Sequence, residues 1–402
     1  MQLDSLILRG VNEMGFKEPF PIQEKAIGPL LAGLNVIGQA RTGTGKTAAF
    51  GLPLLQAVDT NKRLVQALVL APTRELAVQI TNEIRKLGAY TGVKLVTIYG
   101  GQSINVQIDT LERGVHAVVG TPGRVIDHLK RGTLNLDSVK FLVLDEADSM
   151  LDMGFIDDVE FILDSIPESR QIALFSATMP RRIIDLSNKY MRNPERILID
   201  SDEPSVDELD QYYLAVEPEE KLQTLVDLLS KERPASTIIF CRTKHGAHRL
   251  ARDLTRWRLN AVPIHGDLSQ NQRDHSMHVF RSGSADVLVA TDVASRGIDI
   301  PQVECIINYD VPQDALIYFH RVGRTARAGK PGKSYTFVSS EDSGDFARVL
   351  TLTKAPIKPL REQDGGRTFQ VPQDTDDSWR RRRYRSKPRS GYGSRNYRRR
   401  FN

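Results

Sequence analysis

From about residue 36 onward, short apolar runs alternate with stretches whose apolar positions recur at helical spacing. The first set of runs, at 36–38, 67–71, 95–99, 117–120, 141–144 and 172–175, has the length and bounding residues of buried strands. Between the second and third runs, Leu76, Ile80, Ile84 and Leu87 line one face of a helix. Strand and amphipathic helix in alternation is the pattern of a parallel sheet clothed by helices, so residues 1–200 are predicted to form one open α/β domain. Residues 201–208, acidic, polar and interrupted by Pro204, read as a linker. A second alternation, with strand runs at 212–216, 237–241, 261–264, 287–290, 303–308 and 334–338, predicts a second α/β domain over 209–358. Apolar periodicity then stops, and 359–402 is predicted to be a disordered tail rich in Arg and Tyr.

Composition changes this picture only at the end of the chain. Hydrophobic residues at 40% and charged residues at 26% are globular values over a length of 402, enough for two or three cores. The net charge of +5 is uneven: residues 379–402 hold ten Arg, one Lys and no acid, which leaves 5 − 11 = −6 for residues 1–378. Within that tail, aromatic and basic residues interleave from Trp379 to Phe401, a composition that binds phosphate backbones without sequence choice and stacks on unpaired bases. Cys241 and Cys305 are the only cysteines, far apart in apolar runs, which points to packing, a reducing cytoplasmic setting and no structural zinc. No run approaches the ~18 apolar residues of a membrane span.

The chemistry begins at Ala40-Arg41-Thr42-Gly43-Thr44-Gly45-Lys46-Thr47, placed between a strand run and a helix start. A Gly-rich turn there lets successive N–H groups converge on an anion, helped by the helix N-terminus. Lys46 would reach the outer phosphates of a nucleoside triphosphate and Thr47 would take Mg²⁺, although Ala40 replaces the first Gly of the usual pattern. Downstream, the run at 141–144 ends in Asp145-Glu146-Ala147-Asp148, at the carboxyl end of a strand where open α/β sheets bind ligands. Asp145 suits a water-mediated Mg²⁺ ligand, and Glu146 suits the group that orients and deprotonates an attacking water.

With those letters in place, residues 6–340 resemble a DEAD-box RNA helicase of superfamily 2, in which Ala40 is the usual residue. The resemblance implies two RecA-like parallel-sheet domains in tandem, joined by a short linker. The segment from Gly15 to Gln23 is similar to the adenine-reading Q motif, implying that the Gln23 amide reads the base edge and that Phe16 supplies an aromatic face. The family's further aromatic residue upstream would precede Met1. Ser176-Ala177-Thr178 resembles the motif that couples hydrolysis to strand separation, with Asp148 on the same path. Arg74, Gly101, Thr121 and Arg124 fall in segments that resemble the RNA-facing motifs of lobe one, and Arg273 and Thr291 in those of lobe two. His320, Arg324 and Arg327 fall in the last motif, where the resemblance makes the two arginines fingers on the γ-phosphate and His320 a link between lobes. Arginines at 321, 324 and 327 could lie along one side of a helix. Asp299 would touch the ribose. Ala326 and Ser295 stand where Gly and Ala are usual, and both are small enough to predict little loss.

The activity implied is ATP-dependent local unwinding of short RNA duplexes, or remodelling of RNA–protein complexes, with ATP and Mg²⁺. RNA is the implied partner, held through its backbone, and no membrane is implied; ribosome-assembly or RNA-decay proteins are partners the sequence does not identify. Two other readings stay open at this point: a superfamily 2 DNA translocase, and a non-enzymatic RNA clamp or chaperone working through its tail.

Overall fold

The computed structural model describes residues 3–40, 43–199, 209–292, 303–326, 332–353 and 356–360. Lobe one runs α1 (Ser5–Glu13), α2 (Pro21–Leu31), β1 (Val36–Gln39), α3 (Lys46–Ala57), β2 (Ala67–Leu70), α4 (Arg74–Leu87), β3 (Leu95–Ile98), α5 (Ile104–Glu112), β4 (Ala117–Gly120), α6 (Pro122–Lys130), β5 (Phe141–Leu144), α7 (Ala147–Asp152), α8 (Ile156–Asp164), β6 (Gln171–Ser176), α9 (Arg181–Tyr190) and β7 (Glu195–Leu198). Lobe two runs β8 (Leu209–Ala215), α10 (Lys221–Glu232), β9 (Thr237–Phe240), α11 (Lys244–Arg256), β10 (Ala261–Ile264), α12 (Gln270–Arg281), β11 (Val287–Ala290), β12 (Cys305–Asn308), α13 (Ala315–Val322), β13 (Gly332–Val338), α14 (Ser343–Leu352) and β14 (Lys358–Pro359).

Each lobe is built on a 7-stranded sheet, ordered β3-β4-β2-β5-β6-β1-β7 and β10-β11-β9-β12-β13-β8-β14. Subtracting seven from the second set of labels returns the first, so the two lobes share one topology. All pairings in both sheets are parallel. The central strands β2 and β5 of lobe one are apolar at every position, and β9 and β12 of lobe two at all but one, because helices cover both faces. Val69, Val119 and Val143 enter the core on one face, and Leu68, Val118 and Leu142 the core on the other. In lobe two Ile239, Val289 and Ile307 divide in the same way from Ile238, Leu288 and Ile306. Cys241 and Cys305 are buried, and burial raises both thiols.

α4 shows how the local sequence sets an element. The Thr73 hydroxyl accepts the Leu76 N–H at the start, Glu75 sits in the first turn, and Arg85 and Lys86 sit in the last, each matching the helix dipole. Leu76, Ile80, Ile84 and Leu87 are buried on one face, at the predicted spacing.

The differences are at the sheet edges. β7 and β14 have exposed patterns with one buried position or none, so neither leaves an apolar run to read. The lobe-two sheet also passes the predicted tail boundary: β14 includes Pro359, and the Leu360 N–H donates to the Tyr213 carbonyl at 2.9 Å. The linker at 201–208 and the tail from 361 lie outside the described residues.

Candidate nucleotide and RNA site

In a parallel sheet all carboxyl ends share one edge, so the order β5-β6-β1 sets three segments side by side. β1 enters the Gly-rich loop, β5 enters Asp145 to Asp148, and β6 between them enters Ser176 to Thr178. The Ala40 N–H donates to the Ser176 carbonyl at 3.0 Å, which ties the start of the loop to β6. Gly43 and Gly45 have φ of 82° and 84°, a left-handed backbone that side chains disfavour. A Cβ on Gly45 would also stand 2.4 Å from the Gln23 amide nitrogen. Ala40, Thr44, Lys46 and Thr47 complete the described part of the loop, while Arg41 and Thr42 lie outside the described residues.

Lys46 is buried at the start of α3, donates to the Ala40 carbonyl at 3.2 Å and stands 3.8 Å from the Asp145 carboxylate. Burial pushes the Asp145 carboxyl up to about 6; the Lys46 charge opposes the rise and the Glu146 carboxylate adds to it. Glu146 is buried and holds φ of 52° as the residue that opens α7, a strained conformation for a non-glycine residue. Asp148 is bonded on two sides to the segment at 176–178. Its carboxylate accepts the Thr178 N–H at 2.8 Å and the Thr178 hydroxyl at 3.0 Å, and its own N–H donates to the Ser176 hydroxyl at 3.2 Å. A change of position at 176–178 is therefore felt at the acidic strand end through three bonds.

Gln23 lies against the Gly-rich loop. It is 3% exposed, donates to the Gly45 carbonyl at 3.0 Å and accepts the Phe20 N–H at 3.0 Å. Those bonds use one N–H and one lone pair of the amide and leave one of each for a base edge. The two aromatic rings of the segment are placed differently. Phe16 packs on the lobe-one core, whereas the Phe20 ring is 49% exposed and would lie 2.9 Å from a Cβ on Gly45. The ring beside the loop is Phe20. Its sequence signal is an aromatic at a helix N-cap, a position that ordinarily takes Ser, Thr, Asp or Asn.

The RNA-facing candidates of lobe one follow β2, β3 and β4. Arg74 and Gly101 meet: a Cβ on Gly101 would overlap the Arg74 guanidinium at 2.1 Å. Thr121 opens α6 without a side-chain cap, and Arg124 donates to the Gln102 carbonyl and to Gln107 Oε1, both at 3.2 Å. Gln107 in turn meets His128 at 3.1 Å, so a buried Gln–His pair missed in the sequence holds Arg124.

In lobe two, Arg273 reaches across to lobe one, pairing with Glu75 at 2.9 Å, and Gln270 accepts from Arg74 at 3.4 Å. The Arg273 Nε is buried and has no partner among the described residues. Thr291 is buried at the end of β11. Arg321 and Arg324 of the last motif do not share a helix side. α13 ends at Val322, and Arg324 sits in the turn beyond it. Arg321 is 2% exposed and is a structural residue, bonding both Asp292 oxygens at 2.6 and 2.8 Å and Asn308 at 3.1 Å. His320 lies on α13. Ala326 has φ of 53°, which is why Gly is usual there, so this Ala carries backbone strain where little loss was predicted. Asp299, Ser295 and Arg327 lie outside the described residues.

A Gly-rich loop, an acidic strand end and a hydroxyl-rich turn, side by side on one of two matching sheets, are the arrangement of a two-lobed helicase ATPase. Residues 20–186 match the DEAD/DEAH box helicase family, and residues 220–329 match the helicase conserved C-terminal domain. The chain is 48% identical over 359 residues to the ATP-dependent RNA helicase CshA of Listeria monocytogenes, covering 89% of this chain and 69% of that one. It belongs to the DEAD-box ATP-dependent RNA helicases. Among solved structures it is similar to Saccharomyces cerevisiae Dbp5 bound to RNA and ADP BeF3, with a TM-score of 0.79 at 33% identity over 89% of this chain and 94% of that one. A variant of the same yeast protein bound to Nup159, Gle1, IP6 and ADP gives a TM-score of 0.62 at 31% identity over 90% and 96%.

Proposed function

We propose that this chain binds ATP at the Gly-rich loop, closes its two lobes on ATP and RNA together, and locally separates the strands of short RNA duplexes. The observation that carries the reading is the continuous path from Lys46 through Asp145 to Asp148, Ser176 and Thr178, on the lobe that also meets lobe two at Glu75 and Arg273. Thr47 and Asp145 present a hydroxyl and a carboxylate, hard oxygen donors of the kind Mg²⁺ takes alongside phosphates and water. Bound there, Mg²⁺ would neutralise charge on the phosphate oxygens. Among the described residues no group of three or more His, Cys, Asp or Glu could enclose a metal, which fits an ion shared with a nucleotide.

In this scheme Lys46 binds the outer phosphates and Glu146 takes a proton from the attacking water. Gln23 reads the base edge with the amide groups it has left. Arg324 and Arg327 stabilise charge on the γ-phosphate, with fingers of this kind worth about 10³–10⁵ in rate. His320 links the hydrolysis site to the other lobe, and Asp299 contacts the ribose. Arg74, Gly101, Thr121, Arg124, Arg273 and Thr291 hold the RNA backbone, without sequence choice because phosphate contacts carry none. No helix among the described residues is long and apolar enough to cross a membrane, and two buried unpaired cysteines fit the reducing cytoplasm in which we place the protein.

ATP turnover measured with RNA and with DNA of the same sequence tests this reading. RNA stimulation is the expected result, and stimulation by DNA alone would instead support a DNA translocase. Lys46→Ala and Glu146→Gln should each abolish ATP-driven unwinding; strand exchange that survives both would show a non-enzymatic RNA chaperone.

A further inference from the structure

We propose that the exposed face of α11 is a second RNA-binding surface, along which a single strand continues from the α12 region of lobe two toward Trp257. The helix is amphipathic in an uncommon way. Ala247, Leu250, Ala251 and Leu254 are buried, and the opposite face carries Arg249, Arg252 and Arg256 at steps of three and four residues, with Lys244 exposed in the first turn. Just past the last turn, Trp257 is 51% exposed, followed by Arg258, also exposed.

The charge balance favours an anion. Residues 242–258 contain six Arg and Lys and one acid, Asp253, in a chain whose residues 1–378 sum to −6. Asp253 pairs with Arg252 at 3.7 Å and Arg256 at 3.2 Å, Asp267 pairs with Lys244 at 2.8 Å, and Asp342 pairs with Arg242. Six cations against three acids leave 6 − 3 = +3. Among the described residues no carboxylate forms an ion pair with Arg249 or Arg258. The pairs of Lys244, Arg252 and Arg256 are solvent-facing and contribute only about 0–1 kcal/mol each, so phosphates can displace them, whereas Arg242 is held by the buried Asp342.

A basic helix face by itself is commonly just solvated. Trp257 argues otherwise, because a half-exposed indole does nothing for solubility and is a good platform for an unpaired base, worth about 1–3 kcal/mol by stacking. The surface is also continuous with the RNA site. His248 meets His265 at 3.3 Å and Lys244 reaches Asp267, both on the loop that leads into Gln270 and Arg273 of α12. From Lys244 to Arg256 the helix covers about 20 Å, so an RNA held at α12 has a charged path outward ending at an aromatic ring.

This inference rests on the RNA reading above, and its test keeps the two apart. In the full-length chain, Arg249, Arg252 and Arg256 are changed together to Gln, and binding to oligouridylates of about 6 and about 20 nucleotides is measured over a range of salt. The affinity for the longer strand should fall about tenfold or more, with the slope of log K against log salt reduced by about 2. The shorter strand and ADP should bind as before. Trp257→Ala should weaken the longer strand about fivefold with no change of slope, and 4-thiouridine in that strand should crosslink to peptides within 244–258. Equal affinity and slope for the longer strand, with no crosslink in that segment, would overturn the proposal. If the parent protein binds neither oligonucleotide, the RNA reading itself fails.

Discussion

Glu75 on α4 and Arg273 on α12 form an ion pair of 2.9 Å between the lobes, with only 12% of either side chain exposed. Gln270 flanks it, 3.4 Å from both Arg74 and Glu75. The pair joins the starts of α4 and α12, and desolvated partners lose more from one-sided removal than an exposed pair would. Glu75→Gln and Arg273→Gln should each lower RNA-stimulated ATP turnover by about tenfold or more, on the scale of a broken buried pair. In a double-mutant cycle the coupling should be about 1–3 kcal/mol. Additive effects would mean that the contact is not made in the working state.

Phe20 supplies an exposed ring at the mouth of the Gly-rich loop. If it stacks on the base, Phe20→Ala should weaken ADP and GDP alike by about fivefold or more, since stacking is indifferent to the base. Gln23→Ala should instead narrow the difference between the two nucleotides. Isothermal titration of the variants with both nucleotides separates stacking from edge reading, and unchanged affinity in Phe20→Ala would remove the ring from the site.

Three buried histidines set a pH dependence. Burial holds His116, His128 and His265 below their ordinary value of 6.5, with Lys94, Arg124 and His248 respectively adding to the effect. The unfolded chain takes up protons near 6.5 while the folded chain resists them, so stability from these groups is complete above that value and falls as the pH drops through it. Asp145, pushed up to about 6, acts in the opposite sense below that pH. The urea midpoint should therefore fall between about pH 7.5 and about pH 6. His128→Gln should flatten that fall, and a midpoint equal at both pH values would contradict the assignment.

The segment after Asp377 carries eleven positive charges and no acid. Its deletion should weaken RNA binding, reduce the salt slope and leave ADP affinity intact. An unchanged slope in a filter-binding series would show that the Arg run does not touch RNA.

Much of this molecule is legible from local pattern alone. The strands at 117–120 and 141–144 are buried on both faces, and the α4 helix carries its own cap and charge gradient, so neighbours in sequence settle both. The repeated strand order is not visible that way, because it is a fact about hydrogen-bond partners. β7 and β14 escape for a related reason: an edge strand pairs through its backbone and needs no apolar run. At the site, the Gly-rich loop and the acidic strand end are read correctly as neighbours because parallel strands align their carboxyl ends. Side-chain assignments that depend on packing are harder. Phe16 and Phe20 are four residues apart, and only the fold puts one on the core and the other at the loop. Arg321 looks equivalent to Arg324 in spacing, yet the end of α13 falls between them and Asp292 holds the first. The partner of Arg273, nearly two hundred residues away in the other lobe, has no local signal at all.

The central claim is that ATP and RNA together draw the lobes into the arrangement seen here. Asn82 on α4 and His278 on α12 line the same cleft between the lobes and are exposed, and both native cysteines are buried, so spin labels on Asn82→Cys and His278→Cys report the separation selectively. Pulsed dipolar spectroscopy should show a broad, long distance without ligands, and a single shorter one only when a non-hydrolysable ATP analogue and RNA are both present. An unchanged distribution with both ligands bound would contradict the account.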